Sequence, residues 1–246
     1  MTEKQEEYII EGETLPLVEE FFTLQGEGFQ TGKAAYFIRI GGCDIGCSWC
    51  DSRFSWNPDL HPLVETKTII NHVIESGADS VVVTGGEPLM WNLDRLCDGL
   101  KNNNINTFIE TSGAYPLSGT WDWICLSPKK NVPPITDICK VADELKVIIR
   151  DKSDFEWAEK YRAIVSGECR LYLQPEWSQF ETIVPEIVEY IKKNSIWRIS
   201  LQVHKYMHIP CLHYEVQHCN ILYYILLFFI NDGVFTDCAY LFKQSL

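Results

Sequence analysis

Short runs of β-branched and aromatic residues alternate along the chain with stretches in which apolar residues recur every three or four positions. The runs at 34–40, 80–84, 106–110, 123–126, 144–149, 170–173 and 197–201 read as strands. Between them, Ile69, Ile70, Val73 and Ile74 share one helical face, as do Leu93, Leu96, Cys97 and Leu100, and further on Ile183, Val184, Ile187, Val188 and Ile191. The asparagines at 102–104 read as a helix end leading into a turn. Parallel strands need crossover connections, so this alternation predicts a parallel sheet with helices packed on it. No Gly-x-Gly-x-x-Gly follows the first strand. The expected fold is therefore α/β, an incomplete (β/α) barrel with parallel strands, in preference to a dinucleotide-binding sheet. In either architecture the chemistry gathers beyond the C-terminal strand ends, which places segments 43–50, 84–88, 110–112 and 127–129 at one rim.

The alternation ends near Pro210. Residues 211–246 are rich in Cys, Tyr, Phe, Leu and Ile, carry few charges and show no strand–helix pattern, so the chain reads as a domain at 1–210 and an atypical apolar extension at 211–246. The most apolar run, Ile221 to Ile230, falls short of the ~20 residues a helix needs to cross a bilayer, and no membrane span is expected. A net charge of −13 would repel a phosphate backbone, which argues against nucleic acid and for a small-molecule substrate. The start, MTEKQEEYII, lacks the basic-then-apolar layout of a signal peptide, so the expected location is the cytoplasm. There the ten cysteines stay mostly reduced, which turns attention from disulfides to metals and buried thiols.

Three of these thiols are crowded into GGCDIGCSWCD, as Cys43, Cys47 and Cys50. Thiolates are soft ligands for zinc and for iron–sulfur clusters. A structural zinc site wants four protein ligands, and no fourth lies close by except the flanking carboxylates Asp44 and Asp51. Three thiolates on a four-iron cubane would leave one iron open. Cys97, Cys125, Cys139 and Cys169 stand singly, mostly in apolar patterns, and read as core thiols. His204 and His208 stand four apart with Cys211, His213, His218 and Cys219 following, but without ordered ligand spacing.

The triplet, with Trp49 before its last cysteine and Thr84-Gly85-Gly86-Glu87-Pro88 after a later strand, resembles the radical S-adenosylmethionine superfamily. That resemblance implies a [4Fe-4S] cluster on Cys43, Cys47 and Cys50 and S-adenosylmethionine on the open iron. The backbone of Gly85 and Gly86, free of side chains, suits close approach to such a cofactor.

A narrower likeness comes from Phe22-Thr23-Leu24-Gln25-Gly26-Glu27-Gly28, from Phe37-Ile38-Arg39 ahead of Gly42-Cys43, and from the segment 200–210, SLQVHKYMHIP. Together these resemble the 7-carboxy-7-deazaguanine synthases, over nearly all of residues 17–210. The resemblance implies ring contraction of 6-carboxy-5,6,7,8-tetrahydropterin with loss of ammonia, in a homodimer supplied by an electron donor such as flavodoxin. By position, Leu24, Gln25, Gly26, Glu27, Arg39, Thr84 and Pro210 would meet substrate. Trp49, Cys50, Asp51, Gly86, Ser127, Pro128 and Lys129 would meet S-adenosylmethionine, as would Gln174, Pro175, Glu176 and Trp177. Mg²⁺ is also implied, at Ser52, where the family usually has threonine. The chemistry of the residues agrees in kind. A substrate carboxylate asks for a fork-shaped cation such as Arg39, and a pterin edge asks for donors and acceptors such as Gln25 and Glu27.

Family chains end near the position of Pro210, whereas here 36 residues follow. The extension is either a packing element or an aberrant addition that impairs activity. Two other readings stand at this point: a small radical enzyme acting on a protein, such as a glycyl-radical activase, and a non-catalytic module stabilised by zinc.

Overall fold

The structure, a computed structural model, describes residues 11–209. The chain divides after Tyr206, and the fold below belongs to the first unit. Its elements in order are β1 (Thr14–Leu24), β2 (Ala34–Ile40), β3 (Leu63–Glu65), α1 (Thr66–Ser76), β4 (Ser80–Gly85), α2 (Asp94–Lys101), β5 (Asn106–Thr111) and β6 (Trp123–Leu126). There follow α3 (Thr136–Val141), β7 (Glu144–Ile149), α4 (Ser153–Arg162), β8 (Arg170–Pro175), α5 (Phe180–Lys193), β9 (Arg198–Ile199) and the short α6 (Val203–Tyr206).

The strands form one nine-stranded sheet in the order β3-β1-β2-β4-β5-β6-β7-β8-β9. From β2 through β9 every neighbouring pair is parallel; β1 runs antiparallel to both β2 and β3. The sheet does not close, and the expected incomplete barrel is what the chain forms. The helical faces behave largely as their spacing requires: Ile69, Val73, Leu96, Cys97, Leu100, Ile183 and Ile187 are buried. Ile74 and Val188 lie at the edges of their stripes and are exposed instead. Gly77 ends α1 in the left-handed region at φ 72°, where a side chain would be strained.

Parity along the strands separates two cores. Ile38, Ile40, Val81, Val83, Ile109, Leu126, Leu145, Val147 and Leu173 pack with the helices on one face. On the other face Ala35, Phe37, Val82 and Phe108 form a smaller cluster with Phe21 and Trp123 against it. This second face lines the barrel interior. Its next positions toward the strand C-termini are Arg39, Thr84 and Glu110, with Cys125 following Trp123 on β6 and Lys146 following Glu144 on β7.

Candidate active site

β2 delivers the chain to the cysteine loop at the rim. Its last residue and the two glycines after it are laced to the turn after β4, with Gly86 N–H donating to Ile40 O at 3.0 Å and Glu87 N–H to Gly42 O at 2.8 Å. A Cβ at Gly86 would overlap the Gly42 carbonyl, so this close approach of two backbones requires glycine. The return of the loop is fixed by Gly42 N–H to Ser55 O at 2.7 Å and Cys43 N–H to Trp56 O at 3.0 Å. Asn131, beyond β6, donates its side-chain amide to the carbonyls of Ile45 and Gly46. Cys43, Cys47 and Cys50 are all free and half-buried.

Glu87 organises the rim from below. Fully enclosed, it accepts from Thr111 Oγ1 at 2.6 Å and from Ser112 N–H at 2.7 Å, and caps its own turn at Leu89 N–H. One carboxylate thereby ties the end of β4 to the end of β5. Beyond β6, Lys129 Nζ donates to the carbonyl and hydroxyl of Ser127 and lies 5.8 Å from the Trp49 ring. Burial pushes the Lys129 ammonium below its ordinary range. The same burial raises the Cys47 thiol, against the pull of Lys129, and raises Cys43 as well. At the end of β8, Gln174 Oε1 accepts from Ser200 Oγ at 2.7 Å, and Glu176 caps the turn that carries Trp177. Trp177 packs its ring against Phe180 and Tyr206, with Lys205 Nζ 4.7 Å above it.

The donor set fits a cluster. Three thiols stand on one loop, and Lys129 offsets part of the burial that raises the Cys47 thiol. Among the described residues no three His, Cys, Asp or Glu side chains gather closely enough to hold a single ion. A cubane carries its thiolates on different irons, so its ligands stand apart.

Inside the barrel, below this rim, the LQGEG stretch turns back between β1 and β2. Two close contacts dictate its glycines. A Cβ on Gly26 would strike the His204 ring, and one on Gly28, at φ 63°, would strike the Glu144 carboxylate. Lys146, on β7, is buried between Glu27 (2.5 Å) and Glu110 (3.3 Å). Glu27 also accepts from Gln202 Nε2 at 2.8 Å, and Glu110 from Gln25 Nε2 at 2.9 Å and Thr84 Oγ1 at 3.4 Å. Burial alone would raise Glu27, but the Lys146 ammonium and its hydrogen bonds hold it down at about 2. Burial would likewise strip the proton from Lys146, yet Glu110 and Glu27 keep it far above the usual lysine range. His204 is pushed below its ordinary value by burial.

The sequence-derived residues thus divide into two neighbouring groups. Gln25, Gly26, Glu27, Arg39 and Thr84 belong to the chamber wall, with Leu24 half-exposed at its lip. Trp49, Asp51, Gly86, Ser127, Pro128, Lys129 and the 174–177 segment belong to the C-terminal rim. Ser52 Oγ lies 3.5 Å from Cys50 Sγ. Pro210, Cys211, His213, His218 and Cys219 lie outside the described residues. Sequence reasoning missed Lys146, Gln202, Glu19 and Glu144. Lys146 had a legible signal, a lone cation two residues after Glu144 on a strand that is otherwise apolar.

Residues 37–126 match the model of the radical SAM superfamily. A 7-carboxy-7-deazaguanine synthase of Flavobacterium psychrophilum is 55% identical over 199 residues, 81% of this chain and 94% of that protein. One from Synechocystis is 46% identical over 78% of this chain and 92% of its own length. The crystal structure of QueE from Escherichia coli superposes with a TM-score of 0.71 at 29% identity, covering 82% of this chain and 99% of that one. The chain belongs to the 7-carboxy-7-deazaguanine synthase family, within the radical SAM superfamily.

Proposed function

We propose that this chain is a lyase that converts 6-carboxy-5,6,7,8-tetrahydropterin into 7-carboxy-7-deazaguanine with loss of ammonia. The observation that carries the reading is the stacking of two sites: a three-thiol rim laced to the Gly-Gly-Glu-Pro turn, directly above a chamber walled by Arg39, Thr84, Gln25 and Glu27. When bound, the [4Fe-4S] cluster on Cys43, Cys47 and Cys50 and S-adenosylmethionine supply hydrogen-atom abstraction by a carbon radical.

The chain's own residues bind, orient and exclude water. Arg39 takes the substrate carboxylate. Glu27, kept ionised by Lys146, accepts N–H donors of the pterin, and Gln25 and Thr84 complete the edge. Phe37, Phe108 and Trp123 form an apolar floor beneath the chamber. Trp49, Cys50, Asp51, Gly86, Ser127, Pro128, Lys129, Gln174, Pro175, Glu176 and Trp177 would hold S-adenosylmethionine at the rim. The Ser52 hydroxyl, a hard oxygen donor, would hold Mg²⁺ with a less restrained rotamer than threonine would give it. Pro210, a substrate residue by the resemblance, lies outside the described residues, and the addition at 211–246 weakens activity. The enzyme works as a homodimer in the cytoplasm, with an electron donor such as flavodoxin. Among the described residues no helix is long and apolar enough to cross a membrane.

Anaerobic turnover with 6-carboxytetrahydropterin, S-adenosylmethionine and a reductant tests the reading, with detection of the deazapurine. Replacement of Cys43, Cys47 or Cys50 by alanine abolishes both product and the visible iron–sulfur band. A colourless wild-type protein with one tightly held zinc, or an intact cluster with no product, refutes it.

A further inference from the structure

β1 contains an irregularity with a chemical outcome. Leu17 pairs with Ile40, but it is Glu19, not Val18, that pairs with Arg39. The extra residue is a β-bulge, a feature that re-aims side chains. Ahead of it Leu17 packs with the helix-side core; after it Phe21 joins the interior cluster, stacked on Phe37 at 5.5 Å. In unbroken register Val18 would stand opposite Arg39 and Glu19 would point among the helices. The bulge therefore brings a carboxylate to the inner face at the one position where it meets the guanidinium.

The pair is monodentate. Arg39 Nε–H donates to Glu19 Oε1 at 2.6 Å, while Glu19 Oε2 is buried with no hydrogen-bond partner among the described residues. Glu19 is 4% exposed and Arg39 16%, so the cation is the more accessible member of the pair. The two terminal NH₂ groups of Arg39 have no acceptor among the described residues, and its carbon lies 5.7 Å from the Phe54 ring. A purely structural Arg–carboxylate pair gains most by engaging both oxygens through the fork. Here the fork is left open and only the flank is held.

We propose that Glu19 is a positioning residue that grips Arg39 by Nε, turns its two-nitrogen edge toward the chamber, and so sets the preference for a substrate bearing a carboxylate. The inference rests on the reading above, in which Arg39 takes that carboxylate. Anchoring by Nε also stops the side chain from folding away between turnovers, so less conformational freedom is lost when the ligand binds.

The test is equilibrium binding of two fluorescent probes, 6-carboxypterin and pterin, to the anaerobic holoenzyme without reductant. Wild type prefers 6-carboxypterin. Glu19→Ala reduces that preference about ten- to hundredfold, the scale of one hydrogen bond to a charged group, and leaves pterin affinity nearly unchanged. In turnover the same variant raises KM for the natural substrate far more than it lowers kcat, and Glu19→Gln, which keeps an acceptor, restores most of the preference. A folded Glu19→Ala that keeps the wild-type preference, or weakens both probes alike, overturns the proposal. Where Ala does not fold, Glu19→Met fills the space without a comparable acceptor; unfolding of both variants would assign Glu19 to stability alone and also overturns it. Wild type that fails to prefer 6-carboxypterin sinks the functional reading instead.

Discussion

Lys146→Met is the most incisive perturbation of the chamber. The side chain is 4% exposed, and its ammonium is the only partner of Glu27 and Glu110 that carries charge among the described residues. Methionine fills similar volume, so the loss is electrostatic. Glu27 would keep its bond from Gln202, and Glu110 those from Gln25 and Thr84, but two carboxylates would face one another without a cation. Breaking a buried pair by removing one partner costs about 3–5 kcal/mol. The depression of Glu27 from 4.5 to about 2 has the same cause, the Lys146 ammonium and the hydrogen bonds it receives overcoming burial.

The pH dependence has a definite sign. A carboxyl whose folded pKa is depressed contributes stability that is fully present above its unfolded value near 4.5 and is lost as pH falls toward 2. In the methionine variant burial would raise Glu27 instead, so acid relieves the variant while it weakens the wild type. Urea unfolding of both proteins, prepared alike, at pH 7 and pH 4 reads the difference. It should be about 3–5 kcal/mol at neutrality and smaller by about 1 kcal/mol or more at pH 4. Adding Glu27→Gln to the variant should recover part of the loss. A cost below about 1 kcal/mol at pH 7, or one that does not shrink in acid, would refute the account of Lys146 as a buried counter-charge.

Two further outcomes follow from the same geometry. Gly28→Ala forces a side chain into the left-handed region and against the Glu144 carboxylate, and should lower stability by about 2–4 kcal/mol in thermal or urea unfolding; an unchanged melting profile would mean that the LQGEG turn is not held as described. A chain ending at Pro210 should turn over at least as fast as the full chain in the anaerobic assay, and loss of activity on truncation would make residues 211–246 a working part of the enzyme.

The sequence was most legible where one physical rule acted alone. β2, β6 and β7 begin and end where their apolar runs do, since each is a plain strand with one face on the helices and one on the interior. β1 went unread for the opposite reason. Its bulge reverses parity midway, so the apolar residues Leu15 and Leu17 face outward while Glu19 and Phe21 face inward, and no single alternation spans it. β3, at the sheet edge, has only three residues and half-exposed side chains. The run at 197–201 yields only Arg198–Ile199, because Trp197 is buried in the helix-side core, its indole N–H held by Glu159, before pairing begins. Of the site, the motifs on contiguous segments were visible; Lys146, Glu27 and Glu110 were not visible as a unit, being joined only by the fold.

The interior positions also explain why polar chemistry sits at one end of this barrel. Moving two residues along a strand changes Phe37 to Arg39, Val82 to Thr84 and Phe108 to Glu110, so that each strand contributes an apolar floor and a polar wall. Polar groups at the wall satisfy one another, as the Lys146 contacts show, and the floor keeps water from reaching them from beneath. β7 breaks the rule by placing Glu144, pushed above its usual range by burial, among the floor residues. What it gains there is the LQGEG turn: Glu144 Oε2 accepts from Phe29 N–H at 3.1 Å and from Trp123 Nε1 at 3.0 Å, while Phe29 stacks on Trp123 with centroids 4.7 Å apart. The loop that supplies Gln25 and Glu27 is thereby anchored on both sides, by His204 and Val203 at Gly26 and by Glu144 at Gly28 and Phe29. A carboxylate that would be a liability in an apolar floor is retained because it fixes, from below, the segment that must present two hydrogen-bonding side chains to the chamber.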